Sequence, residues 1–198
     1  MTASVALVPK VERDPAGVDN PVLSFFLNYW RRNAQQAEQG IPLFSTFKPS
    51  EVRANLAWVV VVDVLPNLAD FRYRVIGTCV AEYFARNATG LTVSEAFRDW
   101  DPSSREGVIG LFRAPCLHRI PFRYFGPGFR LPGSKKFLPE FDSLYLPYSS
   151  DGREIDRVLN VFAFNHRELR EKADARPRLG SGVTTSVGRS GEPLTASQ

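Results

Sequence analysis

The 198-residue chain is long enough for one well-buried domain with extensions, and it is too short for two full domains to be expected. Its 43% hydrophobic content suits a globular core, and its formal net charge of +4 permits weak attraction to nucleic acid or to a membrane surface without predicting either. No apolar stretch approaches the roughly 20 residues of a membrane span and no secretory pattern opens the chain, so we expect a cytoplasmic protein.

The N-terminal part is predicted to be a loose arm followed by an amphipathic helix. Residues 1–18 carry proline and glycine without any hydrophobic period, which indicates a flexible arm. Asn20 and Pro21 are typical of a helix start, because the asparagine side chain accepts from free backbone donors and proline fits the first turn. The helix is predicted over residues 21–38, with an apolar stripe too wide for one partner. We expect the stripe to rest partly on the sheet and partly on a second copy, through Leu23, Phe26, Leu27 and Trp30.

A buried β-hairpin is predicted next, and the rest of the chain is organised around it. Residues 56–64 form a near-unbroken run of β-branched side chains, which avoids water only if both faces are covered. Residues 70–77 alternate aromatic or β-branched side chains with arginines, so one face meets the core. Arg74 is expected to pair with a carboxylate such as Asp63 and so neutralise a charge within an apolar strand.

Several modest helices and three more strands are predicted after the hairpin. Short helices are expected over residues 79–86 and 93–97, each after a threonine that can cap it. A longer helix ends near residue 117, and Gly107 and Gly110 each weaken it by about 1 kcal/mol relative to alanine. An Asp-Gly turn is expected to join the last two of the three strand-like segments, which are residues 119–125, 137–147 and 155–164.

This order of elements predicts an α+β fold. The sheet is expected to have five antiparallel strands, with helices inserted after the second strand and an amphipathic helix before the first. The chain then divides into an arm, a helix with its linker, a sheet domain and a C-terminal segment too polar to form a core. The expected bounds are 1–18 for the flexible arm, 19–48 for the helix and linker, 49–166 for the domain, and 167–198 for the disordered tail.

The element order and the residues at its joints resemble a PAS domain, and more narrowly the compact stand-alone bacterial PAS proteins. Each matching motif is short, and their order and spacing together are more specific than any one of them. The resemblance covers about residues 22–165. It is carried by Tyr29-Trp30, Ile41-Pro42, the run from Phe71 to Thr78, Thr89-Gly90-Leu91, Leu144-Tyr145-Leu146-Pro147 and the Asp151-Gly152 turn.

The resemblance implies a sensory or regulatory module and not an enzyme. Such modules hold a small ligand or a partner protein, often dimerise, and signal by contact. It implies a homodimer and an unidentified signalling partner, and it names no cofactor. The candidate ligand-binding residues are expected to face a cavity between sheet and helices, although they could equally fill one core. They are Tyr73, Val75, Phe84, Leu111, Phe112, Phe122 and Tyr145.

The remaining reactive side chains favour structural roles. His118 and His166 lack a second histidine or a carboxylate pair at usable spacing, so surface positions are expected for both. Cys79 and Cys116 lie in apolar settings without disulfide or metal spacing, and small buried side chains are the favoured interpretation. No nucleophile with a base, metal cluster or carboxylate pair emerges, which argues against an enzyme.

A nucleic-acid-binding protein is the alternative. Residues 126–136 form a glycine-containing basic loop, which with the C-terminal tail could attract phosphates. Only Tyr124 and Phe129 could stack on bases there, and the glycine spacing is not that of a phosphate-binding loop. A solvated link between strands is therefore preferred.

Overall fold

A six-stranded antiparallel sheet forms the middle layer of the protein. The computed structural model describes residues 10–84, 87–126 and 141–164. The strands are β1 (Lys10–Arg13), β2 (Val59–Val64), β3 (Phe71–Ile76), β4 (Phe122–Gly126), β5 (Phe141–Ser149) and β6 (Ile155–Phe164). They lie across the sheet in the order β1-β4-β5-β6-β2-β3, and every neighbouring pair is antiparallel.

The helices lie before β2 and between β3 and β4, so the architecture is the α+β arrangement predicted from the sequence. The α-helices are α1 (Pro21–Ala34), α2 (Thr78–Tyr83), α3 (Val93–Ala96) and α4 (Pro102–His118), and short 3-10 turns occupy Phe44–Thr46, Arg53–Trp58 and Pro66–Leu68. Among the described residues, no helix is both long and apolar enough to cross a membrane.

The sheet has one strand more than expected. β1 lies inside the segment expected to be a flexible arm, and it pairs with β4 at the edge of the sheet. Its sequence, Lys-Val-Glu-Arg, offers one apolar side chain and no alternation long enough to indicate a strand. The strand is held by its partner instead, because the Arg123 guanidinium on β4 contacts the Glu12 carboxylate at 3.1 Å.

One face of the sheet, called the α1 face here, is covered by α1 and the connection that follows it. The side chains of α1 and of this connection pack on alternate residues of the three central strands. The sheet residues of the α1 face are Val59 and Val61 on β2, Leu144, Leu146 and Tyr148 on β5, and Leu159, Val161 and Ala163 on β6.

Helix α1 begins as predicted but uses its apolar stripe differently. The Asn20 side chain accepts hydrogen bonds from the backbone N–H groups of Val22 and Leu23 at 3.0 and 3.2 Å. The four residues expected to share a dimer interface are 0 to 5% exposed in this single chain: Leu23, Phe26, Leu27 and Trp30. A second copy could reach them only if α1 left the sheet, because the sheet of the same chain already covers the stripe.

The opposite face, called the α4 face here, is covered by α2, α3 and α4. A β-bulge in the β2–β3 pairing decides which residues of β3 reach it: Val62 pairs with Tyr73 and Val61 with Val75, which leaves Arg74 as the extra residue. Tyr73 therefore faces α4. Val75 shares the side of Val61 and is 49% exposed at the edge strand, so its expected place in the cavity is wrong.

The later strands largely follow the prediction. β4 begins at Phe122 instead of residue 119, because Arg119 adopts the left-handed conformation that ends α4. The Asp-Gly turn between β5 and β6 is present: Gly152 has a φ of +82°, and Asp151 Oδ1 accepts from the backbone N–H groups of Arg153 and Glu154. The start of the strand expected at 137–147, the end of the helix expected at 79–86, residues 127–136 of the basic loop, His166 and the C-terminal tail lie outside the described residues.

Candidate functional site

Asn160 lies near the middle of the α4 face and is completely buried. In the sheet register it stands between Tyr145 on β5 and Val60 on β2. Its Nδ2 donates a hydrogen bond to the backbone oxygen of Leu144 at 2.9 Å, which fixes the orientation of the amide. Its Oδ1 has no hydrogen-bond partner among the residues that the structure describes. A fixed acceptor thus lies on the α4 face of the sheet.

Ser143 adds a second buried polar atom to the same face. It lies two residues before Tyr145 on β5 and opposite Phe162 on β6, so it is diagonal to Asn160. Ser143 is also completely buried, and its Oγ has no partner at full hydrogen-bonding geometry among the described residues, although it lies close enough to the Tyr145 phenol to influence the pKa of that group. An unsatisfied buried polar group costs about 1 to 3 kcal/mol, so two such groups near each other call for an explanation.

Aromatic rings close one side of this polar pair. Phe112 of α4 packs edge-on against Tyr145, with ring centroids 5.2 Å apart. The same ring meets Phe71 at 5.5 Å and Tyr73 at 6.3 Å. Burial raises the pKa of the Tyr145 phenol, and the nearby Ser143 hydroxyl offsets only part of this effect. The surroundings of the polar pair are therefore strongly dehydrated.

A second aromatic group closes the other side. Phe84, after the end of α2, meets Phe162 at 5.6 Å, and Phe162 stacks with Phe164 at 5.6 Å with nearly parallel rings. Tyr83 of α2 stacks on Phe164 with centroids 3.5 Å apart. The candidate site is thus a polar pair on the sheet between two aromatic groups, and we refer to it as the Asn160 site.

Helix α4 covers the Asn160 site and has a sequence that weakens it. Pro115 lies inside the helix and removes a backbone hydrogen-bond donor. Gly107 and Gly110 each reduce the stability of the helix by about 1 kcal/mol relative to alanine. Cys116 lies on the buried side of α4, and burial raises the pKa of its thiol to about 12. A covering helix that packs through side chains such as Ile109, Phe112 and Cys116 is easier to move than a strand held by a ladder of backbone hydrogen bonds.

The structure brings together some of the residues expected to line a cavity. Tyr73, Phe112 and Tyr145 are in contact, and Phe122 stands directly opposite Tyr145 in the β4–β5 register. Phe84 belongs to the second aromatic group. Leu111 is half-buried and Val75 lies on the other side of the bulge, so neither is part of the central contact.

Sequence reasoning missed the two residues on which the Asn160 site depends. Asn160 is the one polar residue in the Leu159 to Phe164 stretch of β6, and Ser143 lies between Asp142 and the apolar Leu144. A polar side chain inside an apolar strand could have been singled out for that reason, since burial of such a group without a partner is unfavourable.

The remaining reactive residues lie elsewhere. His118 is exposed, stacks on Phe122 at 5.6 Å, and has its Nδ1 3.0 Å from the Arg13 guanidinium. Across the described ranges, no group of three or more His, Cys, Asp or Glu side chains could hold a metal ion. A surface depression at α3 is lined by Leu91, Ser94, Glu95 and Arg98, none of which is buried.

Comparison with known proteins gives one weak structural likeness. No protein-family model matches the sequence, and no curated protein matches it. A solved structure described as an RNA-binding light-oxygen-voltage receptor is similar over 85% of this chain, with 11% sequence identity and a TM-score of 0.46. This chain spans 43% of the length of that one. The description of the fold therefore depends on the strand order and the helix placement themselves.

Proposed function

We propose that the protein is a non-catalytic PAS-type sensory or regulatory module that holds a small ligand at the Asn160 site. It acts as a homodimer and passes its signal by contact with another protein. The observation that carries the proposal is the fully buried Asn160 amide, whose oxygen has no partner within the described residues although its nitrogen is fixed by Leu144.

The chemistry of the Asn160 site defines what kind of molecule would suit it. Because Nδ2 is already used, Asn160 offers an acceptor, and a ligand must bring an N–H or O–H donor to it. The Ser143 hydroxyl can donate or accept, so it adapts to a neighbouring group of the ligand. The rings of Phe112, Tyr145 and Phe162 supply the apolar contact. A mostly apolar, flat molecule with a donor on one edge fits these three features.

Signalling follows from the weakness of the covering helix. A ligand that pairs with Asn160 removes a desolvation cost only when α4 is placed to admit it, so binding favours one arrangement of α4 over another. No bond needs to be made or broken. The outer surface of α4 then differs between the free and bound states, and a partner protein that contacts α4 can sense the difference.

The nucleic-acid alternative concerns residues 127–136 and the C-terminal tail, which lie outside the described residues. Retention on immobilised RNA or DNA separates the two functions. Phosphate contacts predict retention that falls steeply with salt, whereas the sensory module predicts no retention near physiological salt.

The proposal is tested by native mass spectrometry and an absorption spectrum of the freshly purified full chain. The expected result is one small molecule per chain, which is lost when the protein is denatured and is identified by its mass. A bare chain under native conditions, with no small molecule in an extract of the same sample, would overturn ligand binding at the Asn160 site.

A further inference from the structure

The two edge strands of the sheet, β3 and β1, differ in whether the described residues form backbone hydrogen bonds with their outer sides. At one edge, the Tyr73 backbone of β3 bonds to residues 90–92: its N–H donates to Leu91 at 2.9 Å and its oxygen accepts from Gly90 at 2.7 Å. At the other edge, no described residue pairs with the outer side of β1. Edge strands with free backbone groups are ready to pair with another chain.

The backbone direction of β1 follows from one hydrogen bond. The Asp14 N–H donates to the oxygen of Pro121 at 2.8 Å, so Asp14 faces β4. Because antiparallel ladders alternate, the backbone groups of Glu12 and Lys10 also face β4, and those of Val11 and Arg13 point away from the sheet. The Val11 side chain is 51% exposed as well.

We propose that the outer edge of β1 is a homodimer interface, in which two β1 strands pair antiparallel about a twofold axis at Val11. The occupant is a second copy of this chain. The inference rests on the proposed function only in taking the protein as a homodimer, and the surface it names is independent of ligand binding.

The register follows from two constraints. Outward backbone groups must meet outward groups, so Val11 of one copy must lie opposite Val11 or Arg13 of the other. Val11 opposite Arg13 would place Glu12 against Glu12, which is repulsive. Val11 opposite Val11 places Lys10 against Glu12 at both ends of the pair, so the charges are complementary.

The exposure and charge of the β1 side chains are compatible with this pairing. The Lys10 side chain is 68% exposed, and its ammonium group contacts the Glu12 carboxylate within its own chain at 2.5 Å. Arg123 also binds Glu12 from β4, and the hydrogen bonds from Lys10 and Arg123 lower the pKa of Glu12. The sheet would then continue across the axis, and both Val11 side chains would be covered.

The test uses the full chain and a pair of matched cysteine variants. Val11→Cys places two thiols across the axis within disulfide reach, whereas Val75→Cys puts a thiol at an equally exposed valine on the opposite edge. Under mild oxidation we expect Val11→Cys to form covalent dimers at least tenfold faster than Val75→Cys. Adding Lys10→Glu to Val11→Cys should lower that rate at least fivefold, while adding Arg98→Glu, which changes the net charge equally, should not.

Sedimentation velocity of the unmodified chain completes the test, with an expected dimer that dissociates on dilution. A monomer at all concentrations, or Val11→Cys dimers that form no faster than Val75→Cys dimers, would overturn the interface. Native mass spectra of the same samples report ligand separately. A monomer that retains a ligand would therefore refute this interface and the homodimer, and leave ligand binding at the Asn160 site standing.

Discussion

Trp30 of α1 donates its indole N–H to the backbone oxygen of Pro147 on β5 across 2.7 Å, and both groups are buried. Proline cannot donate to a strand partner, but its carbonyl still needs a hydrogen bond when it is removed from water. The Trp30–Pro147 contact therefore joins α1 to the sheet by a directional bond in addition to apolar packing.

Replacement of Trp30 tests this bond. Trp30→Phe keeps much of the apolar volume but leaves the Pro147 oxygen without its donor, so we expect the free energy of unfolding to fall by about 1 to 3 kcal/mol. Urea unfolding measures the change. The control is Phe25→Leu on the same helix, where the ring is 40% exposed and a change within about 0.5 kcal/mol is expected. Equal losses in the two variants would contradict the role given to the indole N–H.

Arg123 should contribute more to stability than Arg74, although each pairs with an aspartate. Arg123 binds Asp142 with two hydrogen bonds of 2.8 and 2.6 Å and its side chain is 19% exposed. Arg74 is 51% exposed, and its partner Asp63 keeps a second arginine, Arg157, at 3.0 Å. We expect Arg123→Ala to lower the free energy of unfolding by about 2 kcal/mol, and Arg74→Ala to lower it by about 0.5 kcal/mol or less, as measured by urea unfolding. The reverse order would contradict this account.

The N-cap of α4 predicts a pH-dependent stability. Hydrogen bonds from the Ser103 hydroxyl and from Ser104 hold the pKa of Asp101 well below its ordinary value of 3.8. A carboxylate whose pKa is lowered by folding stabilises the protein above the unfolded-state pKa, and this contribution is lost as the pH falls. Asp101→Ala should therefore lower the Tm at pH 7. The Tm difference between this variant and the unmodified chain should become smaller as the pH falls below about 4.

Thermal unfolding followed by circular dichroism at a series of pH values measures the Tm difference between Asp101→Ala and the unmodified chain. Asp99→Ala is the control, since Asp99 is 70% exposed and contacts Arg98 only at 3.8 Å. A Tm difference for Asp101→Ala that stays constant from pH 7 to pH 2 would show that the carboxylate charge is not what stabilises the helix start.

The two cysteines should differ in reactivity. Burial raises the pKa of the Cys116 thiol to about 12, so about one molecule in ten thousand carries the thiolate at pH 8. Burial also raises the pKa of Cys79, which is only half-buried. We expect iodoacetamide to label Cys79 first, and Cys116 only after unfolding, as followed by peptide mass spectrometry. Labelling of both at the same rate in the folded protein would mean that the side of α4 that carries Cys116 is not buried against the sheet.

The layers of the fold could be predicted from local sequence, whereas the face of the sheet on which certain residues lie could not. The Asn20 cap and the Asp151-Gly152 turn depend on neighbouring residues, and both are present. The ion pair between Arg74 and Asp63 is also confirmed, at 2.8 Å. By contrast, alternation along β3 places Val75 with Tyr73, and the bulge that separates them is created by the pairing with β2.

The use of the α1 stripe also depends on long-range packing. Its width indicates two packing surfaces, but the sequence pattern does not indicate that both belong to the same chain. The structure supplies the sheet and residues 41–52 as those surfaces, which leaves no surface of Leu23 or Trp30 for a second copy. Asn160 was missed for a related reason: its unpaired oxygen becomes visible only when its neighbours across the sheet are known.

The most direct measurement compares native mass spectra of three proteins: the unmodified chain, Asn160→Leu and Asn33→Leu. Both variants remove a buried polar atom that has no partner among the described residues, Oδ1 of Asn160 and Nδ2 of the half-buried Asn33, but Asn33 lies on α1, on the other side of the sheet. We predict the same bound small molecule in the unmodified chain and in Asn33→Leu, and a bare chain for Asn160→Leu with unfolding stability kept or increased. Equal occupancy in Asn160→Leu, or three bare chains, would contradict ligand binding at the Asn160 site.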